Sequence, residues 1–404
     1  MEFCTTNIVA YAFTAAVATY IGWRLLPNAR VTGKDAKYFV RAPRFKFVYA
    51  VLNEIAYFTR HVFGRNLFSF STAYASFSLS CCYACMHAYD LYPSPHRKLI
   101  EEAKTDKFFG PQDQLYRGLE AFMDGASRFP LNFIGQLTLN GYPAKCLTAR
   151  RQVVNYINAN PHIADIPIKG PLIILGLPRT GSTLIYNLLA QDPATRAPYM
   201  FEMFQFIDPT PPTTKETFDT DPRIKQTEDR LEFFNSVADG VVDEMSRSHP
   251  AKPFSPDEEL IILFHQLIAQ PFFVVAGEKY LDWVLDEGKK DYVYIYLKRF
   301  LQMMSSSWAP TSHWTLKSPF HAIMIGELLG QFPDARIVIT HRKLENVLPS
   351  FAKLMEAQTY AWAEDASVDR RMIGRLTMRA SKLMVDRLDS FRKVHWLFVG
   401  RRTC

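Results

Sequence analysis

The chain has 404 residues, 48% of them hydrophobic and 22% charged, with 47 Lys and Arg against 40 Asp and Glu for a net charge of +7. That composition is enough for a large core and argues against a disordered chain, and the length exceeds a typical single domain, so one catalytic domain with N-terminal additions is expected. The modest positive charge fits an anionic ligand or an anionic membrane surface, while no zinc-finger or RNP-type pattern points to nucleic acid.

Residues 1–46 read as a membrane anchor and its basic flank. Ile8 to Trp23 carries no charge and is mostly apolar; as a helix it would span roughly 24 Å, workable for a bilayer with interfacial side chains at its ends. A cleaved signal peptide would need a basic start, and Glu2 is the charge that precedes the run. Arg24, Arg30, Lys34, Lys37, Arg41, Arg44 and Lys46 follow against Asp35. The positive-inside rule then favours the cytoplasmic face of the ER, Golgi or another endomembrane for the body of the protein, with a luminal orientation as the less favoured alternative. Residues 47–95 read as a hydrophobic segment centred on Asn66 to Tyr89, either membrane-lying or buried, with a second span as the alternative. Its Cys81, Cys82, Cys85 and His87 lack the second half of a structural zinc site.

Residues 96–165 read as a helical lead-in, with Leu115, Leu119 and Phe122 on one apolar face and Val153, Val154 and Ile157 on another. A domain over 166–404 opens with Leu172 to Leu175, a buried strand, followed by a loop and a helix from Ser182 to Ala190 with Leu184, Leu188 and Leu189 on one face. Gly176 and Gly181 bracket four residues, and Ser182 and Thr183 open the helix. Backbone N–H groups and the positive helix end therefore converge on one anion. The spacing is that of a nucleotide-triphosphate loop, except that Ser182 stands where the lysine would be. Arg179, inside the loop, offers a planar fork suited to two oxyanions.

Downstream, Asp221 to Val237 reads as a surface helix. Ser255 and Glu258 read as a capping box with Pro256 at the first helical position, ahead of the apolar run Leu260 to Ile268. Glu258 thereby has a structural job, and Glu259 is the better candidate for chemistry. His313 to His321 leads into an apolar helix from Ala322 to Leu329, and Arg336 to Thr340 reads as a short buried strand with His341, Arg342 and Lys343 at its end. If these strands neighbour the first, Lys317 and Arg342 both face the phosphate loop, because open α/β sheets bind ligands at their carboxyl ends. Val394, Trp396 and Phe398 suggest a last strand before the chain stops at Cys404.

The loop Gly176-Leu-Pro-Arg-Thr-Gly-Ser-Thr-Leu184 resembles the 5′-phosphosulfate loop of sulfotransferases that use 3′-phosphoadenosine-5′-phosphosulfate (PAPS), and the resemblance extends over roughly residues 98–356. It implies an α/β fold, a mostly parallel P-loop sheet flanked by helices, here with the helical N-terminal extension and membrane anchor. It further implies PAPS as co-substrate without a metal, and Arg179, Thr180, Gly181, Ser182, Thr183 and Leu184 at the 5′-phosphosulfate. Arg342 and Ser350 match the family's R-x7-S motif for the 3′-phosphate, and Lys317 its lysine near the transferred sulfuryl group. The resemblance includes a histidine followed by a Pro-Glu-Glu element, matched by His249 and Glu258-Glu259 with Asp257 inserted. For the base, Glu259 and His249 stand ahead of His321, since Pro319 fills the place of the cytosolic relatives' catalytic histidine. The acceptor would be a hydroxyl on a small molecule, lipid or glycan. Two other readings stay open: a membrane-tethered sulfotransferase-like binding protein, because relatives continue past this chain's end, and a P-loop kinase or NTPase.

Overall fold

The structure is a computed structural model that describes residues 52–57, 60–61, 112–204, 212–237, 252–285, 290–364 and 367–396. The expected anchor, its basic flank, the segment around 66–89, His249, and residues 397–404 lie outside the described residues. Among the described residues no helix is long and apolar enough to cross a membrane.

Two long helices lead in, α1 (Gln112–Arg128) and α2 (Phe133–Ala159). Asn132 caps α2, its side-chain oxygen accepting from the Gly135 N–H at 2.7 Å. Three strands follow, β1 (Leu172–Gly176), β2 (Thr315–Lys317) and β3 (Arg336–Thr340), all parallel with β1 in the middle. The register sets Ile174 opposite both Lys317 and Val338, so all three strands end at one edge. Helix α3 (Ser182–Leu189) leaves β1 directly. Around the sheet stand α4 (Pro222–Val237), α5 (Leu260–Phe264), α6 (Gly277–Leu285), α7 (Asp291–Ser307), α8 (Ile325–Gln331), α9 (Leu344–Trp362) and α10 (Arg370–Trp396). The fold is α/β, a parallel sheet flanked by helices.

The two faces of the sheet are unequal. Ile173, Leu175 and Leu316 join a large core that also holds Leu115, Phe122, Val153 and Ile157 of the lead-in. Ile174 points the other way, into a small cluster with Tyr186 and Ala197. Period-two alternation along the strand produces this division.

Four local expectations change. Helix α3 buries Tyr186 against Ile174 and turns Leu184 and Leu188 outward, 67% and 64% exposed, because its contact with the sheet runs through Tyr186, Leu189 and Ala190. Strand β3 is half-open rather than buried, with Ile339 36% exposed among the described residues. The expected C-terminal strand begins as helix, since α10 continues through Val394 to Trp396. The apolar run after Glu259 stays helical for five residues and then turns at Leu267, whose φ is +64°. Tyr280 holds that turn by donating to the Leu267 carbonyl and accepting the Ala269 N–H at 3.0 Å.

Candidate active site

The phosphate loop is shaped by its glycines and by one strained arginine. Gly176 has φ +141°, and a side chain there would bring a Cβ to 2.6 Å from the Thr340 carbonyl of β3. Gly181 caps α3 with φ +87°. Arg179 has φ +68°, a left-handed conformation that costs roughly 1–2 kcal/mol in a residue with a Cβ. Thr180 stitches the loop closed, donating to the Leu177 carbonyl at 2.8 Å with its hydroxyl 2.6 Å from that of Thr340. Ahead of Ser182 and Thr183, the first N–H groups of α3 have no intrahelical partner and point at the loop's hollow.

Two basic groups flank this loop, one from each neighbouring strand. Lys317 ends β2, and its ammonium donates to the Thr183 hydroxyl at 3.0 Å and to the Glu258 carboxylate. The lysine side chain is 3% exposed and that of Glu258 15%, so the pair is largely buried with Glu258 the more accessible partner. On the β3 side, Arg342 donates to the Arg179 carbonyl at 3.2 Å, and the Arg179 Nε–H donates to the Ser350 hydroxyl on α9 at 3.0 Å. The neighbouring strands thus bring Arg179, Thr183, Lys317, Arg342 and Ser350 to one edge of the sheet.

The contacts of the two glutamates differ from those the capping-box reading implies. Ser255 makes no cap; its hydroxyl donates to the Lys252 carbonyl at 2.9 Å, and α5 begins at Leu260. Glu258 is therefore released from a helix terminus and reaches Lys317. Its own N–H is held by the Asp257 carboxylate at 2.7 Å, and the Asp257 carbonyl accepts from Tyr186 on α3 at 3.0 Å. Burial, reinforced by the nearby carboxylates of Glu259, Asp257 and Glu258, pushes the Tyr186 phenol well above its ordinary range, which keeps it a neutral donor.

Glu259 and His321 are both fully buried. One Glu259 oxygen accepts the Lys317 backbone N–H at 2.7 Å and the other accepts from His321 Nε2, while the Tyr294 hydroxyl lies 2.9 Å from His321 Nδ1. The carboxylate can accept but not donate, so the proton on Nε2 and a hydroxyl donated by Tyr294 to Nδ1 satisfy every contact. This buried chain anchors the end of β2 behind Lys317. Glu258 carried a signal in the sequence as half of the Glu258-Glu259 element, but the capping-box spacing assigned it a structural job; Tyr186 and Tyr294, tyrosines among apolar residues, read as core.

A sequence profile of the sulfotransferase family matches residues 171–399, more than half of the chain. Among solved structures, sulfotransferase STF9 from Mycobacterium avium is similar at 28% identity and a TM-score of 0.62, over 76% of this chain and 77% of that one. Sulfotransferase STF1 from Mycobacterium tuberculosis, at 23% identity, shares the fold with a TM-score of 0.59 over 73% of this chain and 80% of that one. Curated protein sequences give no match. The profile match, the loop between β1 and α3, and the fold agree, and the chain belongs to the sulfotransferase family.

Proposed function

We propose that this protein transfers a sulfuryl group from PAPS to the hydroxyl of a hydrophobic acceptor, with Glu258 as general base and Lys317 beside the leaving group. The observation that carries the reading is the Thr183–Lys317–Glu258 contact at the mouth of the phosphate loop. It joins an anion-binding helix end, a cation and a proton acceptor within one hydrogen-bonded group.

The residues fit the donor. The loop's N–H groups and the Ser182 and Thr183 hydroxyls suit a 5′-phosphosulfate, and Arg342 with Ser350 suits a 3′-phosphate. In the transfer the acceptor oxygen attacks sulfur, the bond from sulfur to the bridging phosphate oxygen breaks, and the hydroxyl proton passes to Glu258. Negative charge grows on the departing phosphate, where the Lys317 ammonium and the start of α3 stabilise it. Much of the remaining work is alignment, as in phosphoryl transfer. Glu259 and His321 hold Lys317 in place through its backbone. An apolar acceptor is supported by Phe254, which is 46% exposed, lies close in sequence to Glu258, and stands 6.1 Å from Phe218 and 6.4 Å from Phe201 between ring centroids.

The test is turnover of sulfur-labelled PAPS with a panel of phenols, sterols, long-chain alcohols and sugars. The expected result is a labelled product from an apolar alcohol, formed together with adenosine 3′,5′-bisphosphate and lost in Lys317→Ala. Folded protein that turns over none of the panel would count against the reading.

A further inference from the structure

Thr183 and Tyr186 lie three residues apart on α3 and so face the same side of that helix. Thr183 accepts from the Lys317 ammonium at 3.0 Å, and Tyr186 donates its hydroxyl to the Asp257 carbonyl at 3.0 Å. Asp257 accepts the Glu258 N–H on its carboxylate at 2.7 Å, and the Glu258 carboxylate accepts from Lys317. These contacts close a ring that leaves α3 through Thr183, crosses Lys317 to Glu258, and returns through Asp257 and Tyr186 to the same helix. The segment ahead of Glu258 is also clasped by an extended stretch that lies beside β2. There the Asp257 N–H donates to the Pro198 carbonyl at 3.0 Å and the Met200 N–H to the Ser255 carbonyl at 3.3 Å, while Arg196 bridges in parallel to Trp314. Tyr186 is 1% exposed and packs with Ile174 and Ala197. A phenylalanine would serve that packing equally well; the hydroxyl is what reaches the residue before Glu258.

We propose that Tyr186 is a positioning residue for the base: its hydroxyl ties the backbone at Asp257 and Glu258 to α3, so the helix whose first turn meets the donor also sets the Glu258 carboxylate against Lys317. The assignment rests on the reading of Glu258 as general base given above. Tyr186 acts through the backbone of the base and not on the reacting atoms. Glu259 and His321 hold Lys317 from behind, and Tyr186 with Asp257 does the corresponding work for its partner. Without the hydroxyl, the Asp257 carbonyl loses a buried donor and the Glu258 backbone is no longer tied to the helix. A displacement of about 1 Å at such a group is enough to cost about 10²-fold in rate.

The experiment compares the 404-residue chain with Tyr186→Phe, Asp257→Ala, Asp257→Asn, Glu258→Gln and the Tyr186→Phe/Glu258→Gln double variant. Turnover of sulfur-labelled PAPS is measured with the same panel of phenols, sterols, long-chain alcohols and sugars, binding of adenosine 3′,5′-bisphosphate by calorimetry, and folding by thermal midpoint. Tyr186→Phe is expected to lower kcat about 10- to 100-fold while KM for PAPS and the affinity for the bisphosphate change less than about 3-fold. Asp257→Ala should act in the same sense, and Asp257→Asn, which keeps an oxygen for the Glu258 N–H, should recover part of that loss. In the Glu258→Gln background Tyr186→Phe should cost less than about 3-fold, because the group it positions has already been removed. If Tyr186→Phe fails to fold, Asp257→Ala and its partial recovery in Asp257→Asn carry the same test from the other side of the peptide. A folded Tyr186→Phe with unchanged kcat, or with the same fold-loss in the presence and absence of Glu258, would overturn the assignment while leaving the donor and base readings intact. A wild-type chain that turns over none of the panel, or a Glu258→Gln chain as active as wild type, would overturn the base reading, and the assignment with it.

Discussion

Replacing Glu258 with Gln keeps the side chain's length and its reach to Lys317 while removing a proton acceptor. Turnover is expected to fall by about 10²- to 10⁴-fold, the usual worth of general-base catalysis, with bisphosphate affinity little changed; steady-state rates beside calorimetry check both. Glu259→Gln belongs to a different class. It disturbs the buried contacts with His321 and the Lys317 N–H, so the expected loss is about 1–3 kcal/mol of stability, read by urea unfolding. His265 offers a pH test. Burial lowers its pKa from 6.5 to about 3, with Nδ1 3.0 Å from the Tyr296 hydroxyl. Its folded-state pKa lies below the unfolded one, so as pH falls below 6.5 the unfolded chain takes up the proton first and stability declines toward pH 3. At pH 5 this group alone should lower unfolding free energy by about 2 kcal/mol relative to pH 7.5, and His265→Gln should flatten that part of the profile. A wild-type profile flat between pH 7.5 and 5 would count against a neutral buried His265.

At the scale of elements, the phosphate loop and strands β1 and β3 were legible because their signals are local, whereas the three-residue β2 stood out in the sequence only through Lys317. Two glycines at a fixed spacing, hydroxyls at a helix start and short apolar runs each specify their own conformation. Gly176 shows how tightly β1 and β3 then close. Gly176→Ala would press a methyl against the Thr340 carbonyl in a backbone conformation that L residues avoid, and would disturb the Thr180–Thr340 contact. Weaker bisphosphate binding and a lower thermal midpoint are expected together. The division of labour between Glu258 and Glu259 was not legible. Their spacing after Ser255 matches a capping box, and what overrides it is tertiary: the backbone end of β2 claims Glu259, and its lysine claims Glu258. The outward Leu184 and Leu188 have the same origin, since a helical period does not reveal which face meets the sheet.

Across the whole molecule, the lead-in helices and the loop domain share one hydrophobic core, and α1 packs along α6. Gly125 of α1 lies against Ala276, next to the start of α6, so close that a methyl at this position would overlap the Ala276 carbonyl. Gly125→Ala is expected to cost about 1–3 kcal/mol by overpacking, seen as a lower unfolding midpoint, with nucleotide affinity of the folded protein unchanged. The sequence shows these helices through their apolar faces, but not the docking, which depends on residues more than a hundred positions apart. Arg196 and Glu202 form another tertiary link: both are buried, and the guanidinium lies 4.5 Å from the Trp308 ring centroid and 4.8 Å from that of Trp314.

The proposed donor site is spread between the start of α3 and the ends of β2 and β3. Calorimetric titration of the 404-residue chain with adenosine 3′,5′-bisphosphate, beside Arg342→Ala and ATP with magnesium, tests it most directly. Saturable binding, weakened about tenfold or more by Arg342→Ala and exceeding any response to ATP with magnesium, is the expected result. Folded protein that ignores the bisphosphate, or prefers ATP with magnesium, would contradict it.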